Sequence, residues 1–349
     1  MRVAAVDCGT NSLRLLVADV DSRGGRAVDV ERRTTIVRLG QDVDRTGVFA
    51  SEALERTFAA LDTYAEVIQG LDVAATRFVA TSAARDVANG GVLVAGVRDR
   101  LGVDPDIVSG DEEARLSYDG ATRGLAEVPG VEEPVLVVDI GGGSTEFVVR
   151  VAQDARVAQD GQDSQDAQDS QDAQDAQVGQ DGRVGQDGQD GHDFQGGAVR
   201  GQSLDIGAVR MTERHLHSDP PTADEVATLE RDVDKELDTL DVRLTSAGTL
   251  VGVAGTITTL AAAALRLSTY DRDAIHRARI PSSDLLAAID AIVAMTVDER
   301  RALGFMAAGR ADVIGAGALV LGRVLRRSGA RELVASEHDI LDGIAWSLV

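Results

Sequence analysis

Two short segments of the chain repeat one chemical pattern. The first runs Val3-Ala4-Ala5-Val6-Asp7-Cys8-Gly9-Thr10-Asn11-Ser12-Leu13, and the second runs Leu136-Val137-Val138-Asp139-Ile140-Gly141-Gly142-Gly143-Ser144-Thr145-Glu146. In each, an apolar run ends in Asp, Gly follows two residues later, Ser five residues later, and a second apolar run begins. Gly permits a tight turn that lets backbone approach a ligand closely. Successive N–H groups of such a turn form a concave anion site. Thr10, Asn11, Ser12, Ser144 and Thr145 add side-chain donors beside Gly9, Gly141, Gly142 and Gly143. Asp at the strand end, as Asp7 and Asp139, can hold a hydrated cation or an attacking water. Either segment alone reads equally well as a hairpin turn. Both together, at matching offsets, read as two phosphate loops. Neither carries the Gly-Lys-Ser/Thr signature, which disfavours P-loop hydrolases. A third segment, Val251-Gly252-Val253-Ala254-Gly255-Thr256, reads as a strand turning into a helix N-terminus, where Gly255 and Thr256 would meet phosphate through unpaired N–H groups.

Alternating strands and helices must position these loops. Val3–Val6, Leu13–Val20, Thr34–Leu39, Thr76–Ala80 and Val135–Val138 read as strands, and residues 146–151 and 198–206 as a hairpin pair. Ser51–Gln69 carries apolar spacing at Leu54, Phe58, Leu61, Ala65 and Ile68 and predicts a helix with Ser51 as N-cap. A helix is expected from Asp111 to about Gly120, capped by Ser109 or Asp111, and others over Thr222–Asp241 and Ser282–Met295. The pattern is α/β, with a hairpin opening each apparent half. Between the strands of the last hairpin lie residues 153–195, where Gln-Asp recurs at a period of three. That period matches neither helix nor strand, and so few apolar residues cannot offset ordering entropy. A disordered insertion at a hairpin tip is expected, rather than a cation-binding loop, which needs a Gly turn and a bidentate Glu.

Composition narrows the function. The 349 residues carry a net charge of −23, which disfavours nucleic-acid and membrane-surface partners. No apolar run is long enough to span a bilayer, and Asp7 interrupts the apolar stretch a secretory signal needs. The single cysteine, Cys8, allows no internal disulfide and points to a reducing cytoplasm. His215 and His217 lack an evident third ligand, so no metal role is expected of them. His276 and Arg277, with Arg272 and Arg279, are read as a basic patch beside the cleft.

The loops resemble those of the acetate kinase–Hsp70–actin superfamily, in which two ribonuclease H-like domains clamp phosphates between them. Further segments sharpen the resemblance: Val108-Ser109-Gly110-Asp111-Glu112-Glu113-Ala114-Arg115, Thr81-Ser82-Ala83-Ala84-Arg85, Arg310-Ala311-Asp312-Val313-Ile314 and Asp339-Ile340-Leu341-Asp342-Gly343. With the loops they are similar to the Ppx/GppA family of exopolyphosphatases and guanosine pentaphosphate phosphohydrolases, nearly throughout the chain apart from the insertion. The resemblance implies two actin-like domains, 1–117 with about 334–349 and 118–333, and no C-terminal HD-like domain of the longer members. It implies release of terminal orthophosphate from inorganic polyphosphate, with guanosine pentaphosphate as a further candidate substrate and a homodimer as a candidate assembly. Glu113 is implied as the base or water-orienting carboxylate, Arg85 as a phosphate grip, and Asp139, Glu146 and Asp7 as holders of Mg²⁺ or another divalent cation. A phosphotransferase of the same superfamily and a catalytically silent polyphosphate or alarmone sensor are the rival readings.

Overall fold

The computed structural model describes residues 1–21, 27–85, 87–125, 128–152 and 197–349. The first sheet contains β1 (Arg2–Cys8), β2 (Ser12–Val20), β3 (Ala27–Ile36), β4 (Ala75–Ala80) and β5 (Asp106–Ile107) in the order β3-β2-β1-β4-β5. The second contains β6 (Val135–Ile140), β7 (Thr145–Ala152), β8 (Gly197–Leu204), β9 (Thr249–Val253), β10 (Arg279–Pro281) and β11 (Glu332–Ala335) in the order β10-β11-β9-β6-β7-β8. Read from their first strands, the sheets are the same object. An antiparallel three-strand meander (β1-β2-β3, β6-β7-β8) is extended by parallel strands on the other side of its first strand (β4 on β1, β9 on β6). This ribonuclease H-like order, present twice, is the α/β architecture expected.

Alternation along β1 distributes its side chains to two cores. Ala4, Val6 and Cys8 face a cluster with Leu61, Tyr64 and Leu93, while Val3 and Ala5 face Ile340, Leu341, Ile344 and Trp346. The first cluster draws on α1 (Ser51–Gly70) and α2 (Gly90–Leu101). In β6, Leu136, Val138 and Ile140 face the large second core, and Val135 and Val137 pack on Ala114, Tyr118 and Ala121 of α3 (Gly110–Thr122). The remaining helices used below are α4 (Ala208–His215), α5 (Ala223–Leu237), α6 (Ala254–Ala264), α7 (Ser282–Ala294), α8 (Ile314–Ser328) and α9 (Ile340–Trp346).

Several boundaries differ from the sequence reading, each for a physical reason. β3 begins at Ala27, not Thr34, and ends at Ile36; it pairs only with β2, and an edge strand tolerates the charges of Asp29, Glu31, Arg32 and Arg33. Ser51 is the first helical residue, so it does not cap α1; the N-cap is Ala50. α8 escapes the sequence reading because Ile314–Gly322 are all buried, Gly315, Gly317 and Gly322 among them, and its charges, Arg323, Arg326 and Arg327, come only in the last turns. The last β7–β8 pair is Ala152 with Gly197. The expected disorder of 153–195 lies outside the described residues. No helix among the described residues is long and apolar enough to cross a membrane.

Candidate active site

The C-terminal ends of β1, β4, β6 and β9 converge on a cavity of about 190 Å³. Its walls include Asp7, Gly9, Thr10, Asn11, Ser12, Glu113, Asp139, Gly141, Gly142, Ser144, Glu146, Gly255 and Thr256. The two Gly loops have the same turn. Gly9 N–H donates to Ser12 O and Gly141 N–H to Ser144 O, both at 3.0 Å. The loops abut: a Cβ on Gly143 would stand 2.6 Å from Thr10 Oγ1 and from Ser82 Oγ, so only glycine fits there. The N-terminus of α4 holds the second loop from behind. Ala208 N–H donates to Gly141 O at 2.9 Å and Val209 N–H to Gly142 O at 2.8 Å. The N–H groups of Thr10, Asn11 and Gly142 make no hydrogen bond among the described residues. At the third loop, Ala254 takes a left-handed backbone, φ 68°, a conformation that costs a non-glycine residue about 1–2 kcal/mol.

Register makes the two hairpins chemically unequal. Asp7 on β1 stands opposite Arg14 on β2; Asp139 on β6 stands opposite Glu146 on β7. Asp7 is therefore neutralised: Arg14 Nε donates to its Oδ2 at 2.8 Å, and the same guanidinium reaches Asp339. Asp139 and Glu146 are like charges directly across a ladder, which is unfavourable. Both are buried, at 6% and 1% exposure. Serine hydroxyls hold them: Ser117 donates to Asp139 Oδ2 at 2.6 Å, and Ser144 and Ser203 donate to Glu146 Oε1 at 2.6 and 2.8 Å.

Glu113 sits one turn into α3, whose N-cap Ser109 accepts from Glu112 N–H. It is 8% exposed, and Arg85 Nη1 donates to its Oε2 at 2.7 Å and to Val108 O at 3.0 Å. Burial pushes the Glu113 carboxyl up to about 7, against the pull of Arg85 and with Asp139 and Asp7 adding to the rise. Burial likewise lifts Asp139 to about 6, and Glu146 well above its ordinary value with help from Glu113 and Asp139. Three adjacent carboxyls whose protons are held this firmly are short of positive charge. The second Asp7 oxygen, Oδ1, is buried without a hydrogen-bond partner among the described residues. These features fit a divalent cation. No group of three or more His, Cys, Asp and Glu among the described residues forms a ready-made cage. That suits Mg²⁺, which commonly takes one or two carboxylates and completes its shell with water and phosphate oxygens.

Three expected residues do not line the cavity. Thr145 is fully buried on the opposite face of β7 from Glu146, and its hydroxyl donates to Ile206 O at 3.0 Å. Gly143 serves the contact between loops, its carbonyl accepting from Arg210 Nε at 2.8 Å. Arg85 lines an adjoining pocket with Ser109, Ser203 and Asp205, and meets the site through Glu113. Two members of the expected basic patch, Arg272 and Arg279, are taken up in ion pairs. Arg272 holds Asp29 at 2.8 Å and Glu337 at 3.3 Å, Arg279 holds Glu332, and His276 stacks on His338 with centroids 4.4 Å apart. His215 pairs with Asp232 at 2.9 Å.

The structure also adds residues. Arg14 is the only charge between Asp7 and Asp19, a signal the sequence does carry. Arg310 faces the cavity beside Gly255 and donates to Thr259 Oγ1 at 2.6 Å, yet makes no ion pair among the described residues. A largely desolvated guanidinium with no carboxylate is a standing anion site.

Comparison with known proteins agrees with this geometry. The chain is 45% identical over 360 residues to Exopolyphosphatase 2 of Mycobacterium tuberculosis, covering 99% of this chain and 98% of that protein. The crystal structure of an exopolyphosphatase-like protein superposes with a TM-score of 0.82 at 38% identity, covering 100% of this chain and 98% of that one. The Aquifex aeolicus Ppx/GppA enzyme superposes with a TM-score of 0.72 at 28% identity, covering 99% of both chains. The Ppx/GppA phosphatase family model matches residues 16–159 and 195–349, leaving unmatched only the first 15 residues and a stretch inside the Gln-Asp-rich segment, and the chain belongs to that family.

Proposed function

We propose that the protein is an exopolyphosphatase that releases terminal orthophosphate from inorganic polyphosphate. The observation that carries this is the placement of one buried carboxylate, Glu113, at a cleft walled by two matched phosphate loops and a helix N-terminus. Backbone N–H groups of Thr10, Asn11 and Gly142, the Thr10, Ser12, Ser144 and Thr256 hydroxyls, and Arg310 bind the chain end and orient its last anhydride. Glu113 takes a proton from the attacking water; a carboxylate lifted toward neutrality is a stronger base than an ordinary one. Arg85 fixes that carboxylate, and its Nε and Nη2, bonded to nothing among the described residues, are free for a phosphoryl oxygen. Asp139, Glu146 and Asp7 would hold Mg²⁺, which would neutralise charge on the phosphoryl oxygens. A base serves an acceptor hydroxyl as well as water, and similarity to an exopolyphosphatase is what favours water here. We assign the two halves to 1–117 with about 334–349 and to 118–333; β11 of the second sheet and α3 cross the two boundaries.

The test is orthophosphate release from polyphosphate and from guanosine pentaphosphate, with Mg²⁺ and with excess chelator. Cation-dependent release from polyphosphate is expected. Nucleoside diphosphate formation only when an acceptor and nucleoside triphosphate are supplied would overturn the reading in favour of a kinase. Release from guanosine pentaphosphate would add the second family substrate.

A further inference from the structure

Contacts order the cleft from one end to the other. Glu113, Glu146 and Asp139 stand at the first end; Arg14 then bridges Asp7 to Asp339; Glu337 and Tyr270 stand at the far end with Arg310. There the Tyr270 hydroxyl donates to Glu337 Oε1 at 2.5 Å and accepts from the Thr258 hydroxyl at 2.7 Å. The ring thus straps α6 to the segment after β11. Glu337 is held from behind by Arg272, which in turn holds Asp29 on β3 of the first sheet. His276 Nδ1 accepts from Glu337 N–H at 3.2 Å, which fixes the backbone as well. This end is therefore bridged by the tyrosine, and it sets a carboxylate, Glu337, close to the Arg310 cation. The cavity behind it, about 190 Å³, is smaller than the roughly 300–1,000 Å³ typical of pockets for drug-sized ligands. It has room for a few phosphoryl residues.

We propose that Tyr270 and Glu337 form a length stop: the cleft takes short inorganic polyphosphate end-on, and a longer chain must pass the tyrosine strap and a carboxylate. The inference rests on the exopolyphosphatase reading above and assigns that site its substrate size. Glu337→Gln keeps the shape of the side chain and removes its charge, and it also frees Arg272 to face the cleft. Tyr270→Ala removes the strap. One charge contact near a protein surface is worth on the order of a tenfold change in binding.

The experiment measures kcat/KM for orthophosphate release by the full-length protein with Mg²⁺. The substrates are tripolyphosphate and chains of tens and of hundreds of residues. The wild type should favour the short substrate, and in each variant the long-to-short ratio of kcat/KM should rise by about tenfold. An unchanged ratio in Glu337→Gln, or a change equal at every length, overturns the length stop while leaving the activity intact. If Tyr270→Ala fails to fold, the isosteric Glu337→Gln decides alone. A wild type that releases no orthophosphate from any chain overturns the underlying activity instead, so the two failures are distinct.

Discussion

Replacing Glu146 by Gln should stabilise the cation-free protein. Glu146 is 1% exposed, faces Asp139 across the β6–β7 ladder and is pushed well above its ordinary value of 4.5 by burial, then by Glu113 and Asp139. A carboxyl raised in the fold binds more protons folded than unfolded, so stability falls as pH rises above the unfolded value. The slope is about 1.4 kcal/mol per pH unit for one such group. Gln does not titrate, and its amide oxygen can still accept from Ser144 and Ser203. Between pH 4.5 and 6.5 the variant should therefore gain up to about 3 kcal/mol relative to wild type. At about 2–4 °C per kcal/mol for chains of this class, the melting midpoint should rise by several degrees. The assay is thermal denaturation of both proteins in excess chelator at pH 4.5 and 6.5, repeated with Mg²⁺. Near pH 4.5 the curves should coincide; at pH 6.5 the variant should melt higher, and Mg²⁺ should stabilise the wild type more. A variant that melts lower at pH 6.5 in chelator would refute the view that unneutralised carboxylates strain this hairpin.

Further outcomes follow from the same geometry. Glu113→Gln should lower turnover by about 10²–10⁴-fold with KM little changed, as general-base removal does; activity within threefold of wild type would sink the assignment. Because burial lifts Glu113 to about 7 and its base form is the ionised one, kcat/KM should rise with pH through about 7 and then level, and Glu113→Gln should lack that limb. Arg310→Met should raise KM about tenfold or more without lowering the melting midpoint, since a buried guanidinium without a carboxylate contributes to ligand binding rather than to folding. Joining Ala152 to Gly197 by a short turn should leave turnover and melting midpoint unchanged, because β7 and β8 remain paired up to that point; a large loss of either would show that the Gln-Asp segment supports the fold.

What the sequence shows, it shows through local chemistry. The turn geometry of both loops is legible because Asp, Gly and Ser recur at fixed offsets, and the α3 cap because Ser109 precedes an acidic first turn. The ends of β3 are not, since an edge strand rich in charge looks like a loop until its single partner is known. α8 is hidden for a different reason: Ile314–Gly322 are all buried, so polar residues mark its outer face only from Arg323 onward. Thr145 illustrates the limit of reading a motif as a set of donors. It belongs to the loop in sequence, but strand alternation turns it away from Glu146 and into the core. Arg14 is the converse case, where one charge in an apolar strand marks a residue that register then sets against Asp7.

The duplicated hairpin explains why one cleft can both attract and process a polyanion. In the first copy the Asp–Arg pair is internally neutral, and the same Arg14 also meets Asp339, so this wall carries no unpaired cation. In the second copy the arginine position is a glutamate, and the pair can be neutralised only from outside. A duplicated scaffold thus separates two tasks by one change of residue type at equivalent register. The first hairpin pairs its Asp with an Arg of the same hairpin, whereas the second sets Asp139 against Glu146 with no cationic partner in the ladder. Exchanging the two roles by placing Glu at 14 and Arg at 146 would bury like charges at Asp7 beside Asp339, so the asymmetry is fixed by the surroundings of each hairpin.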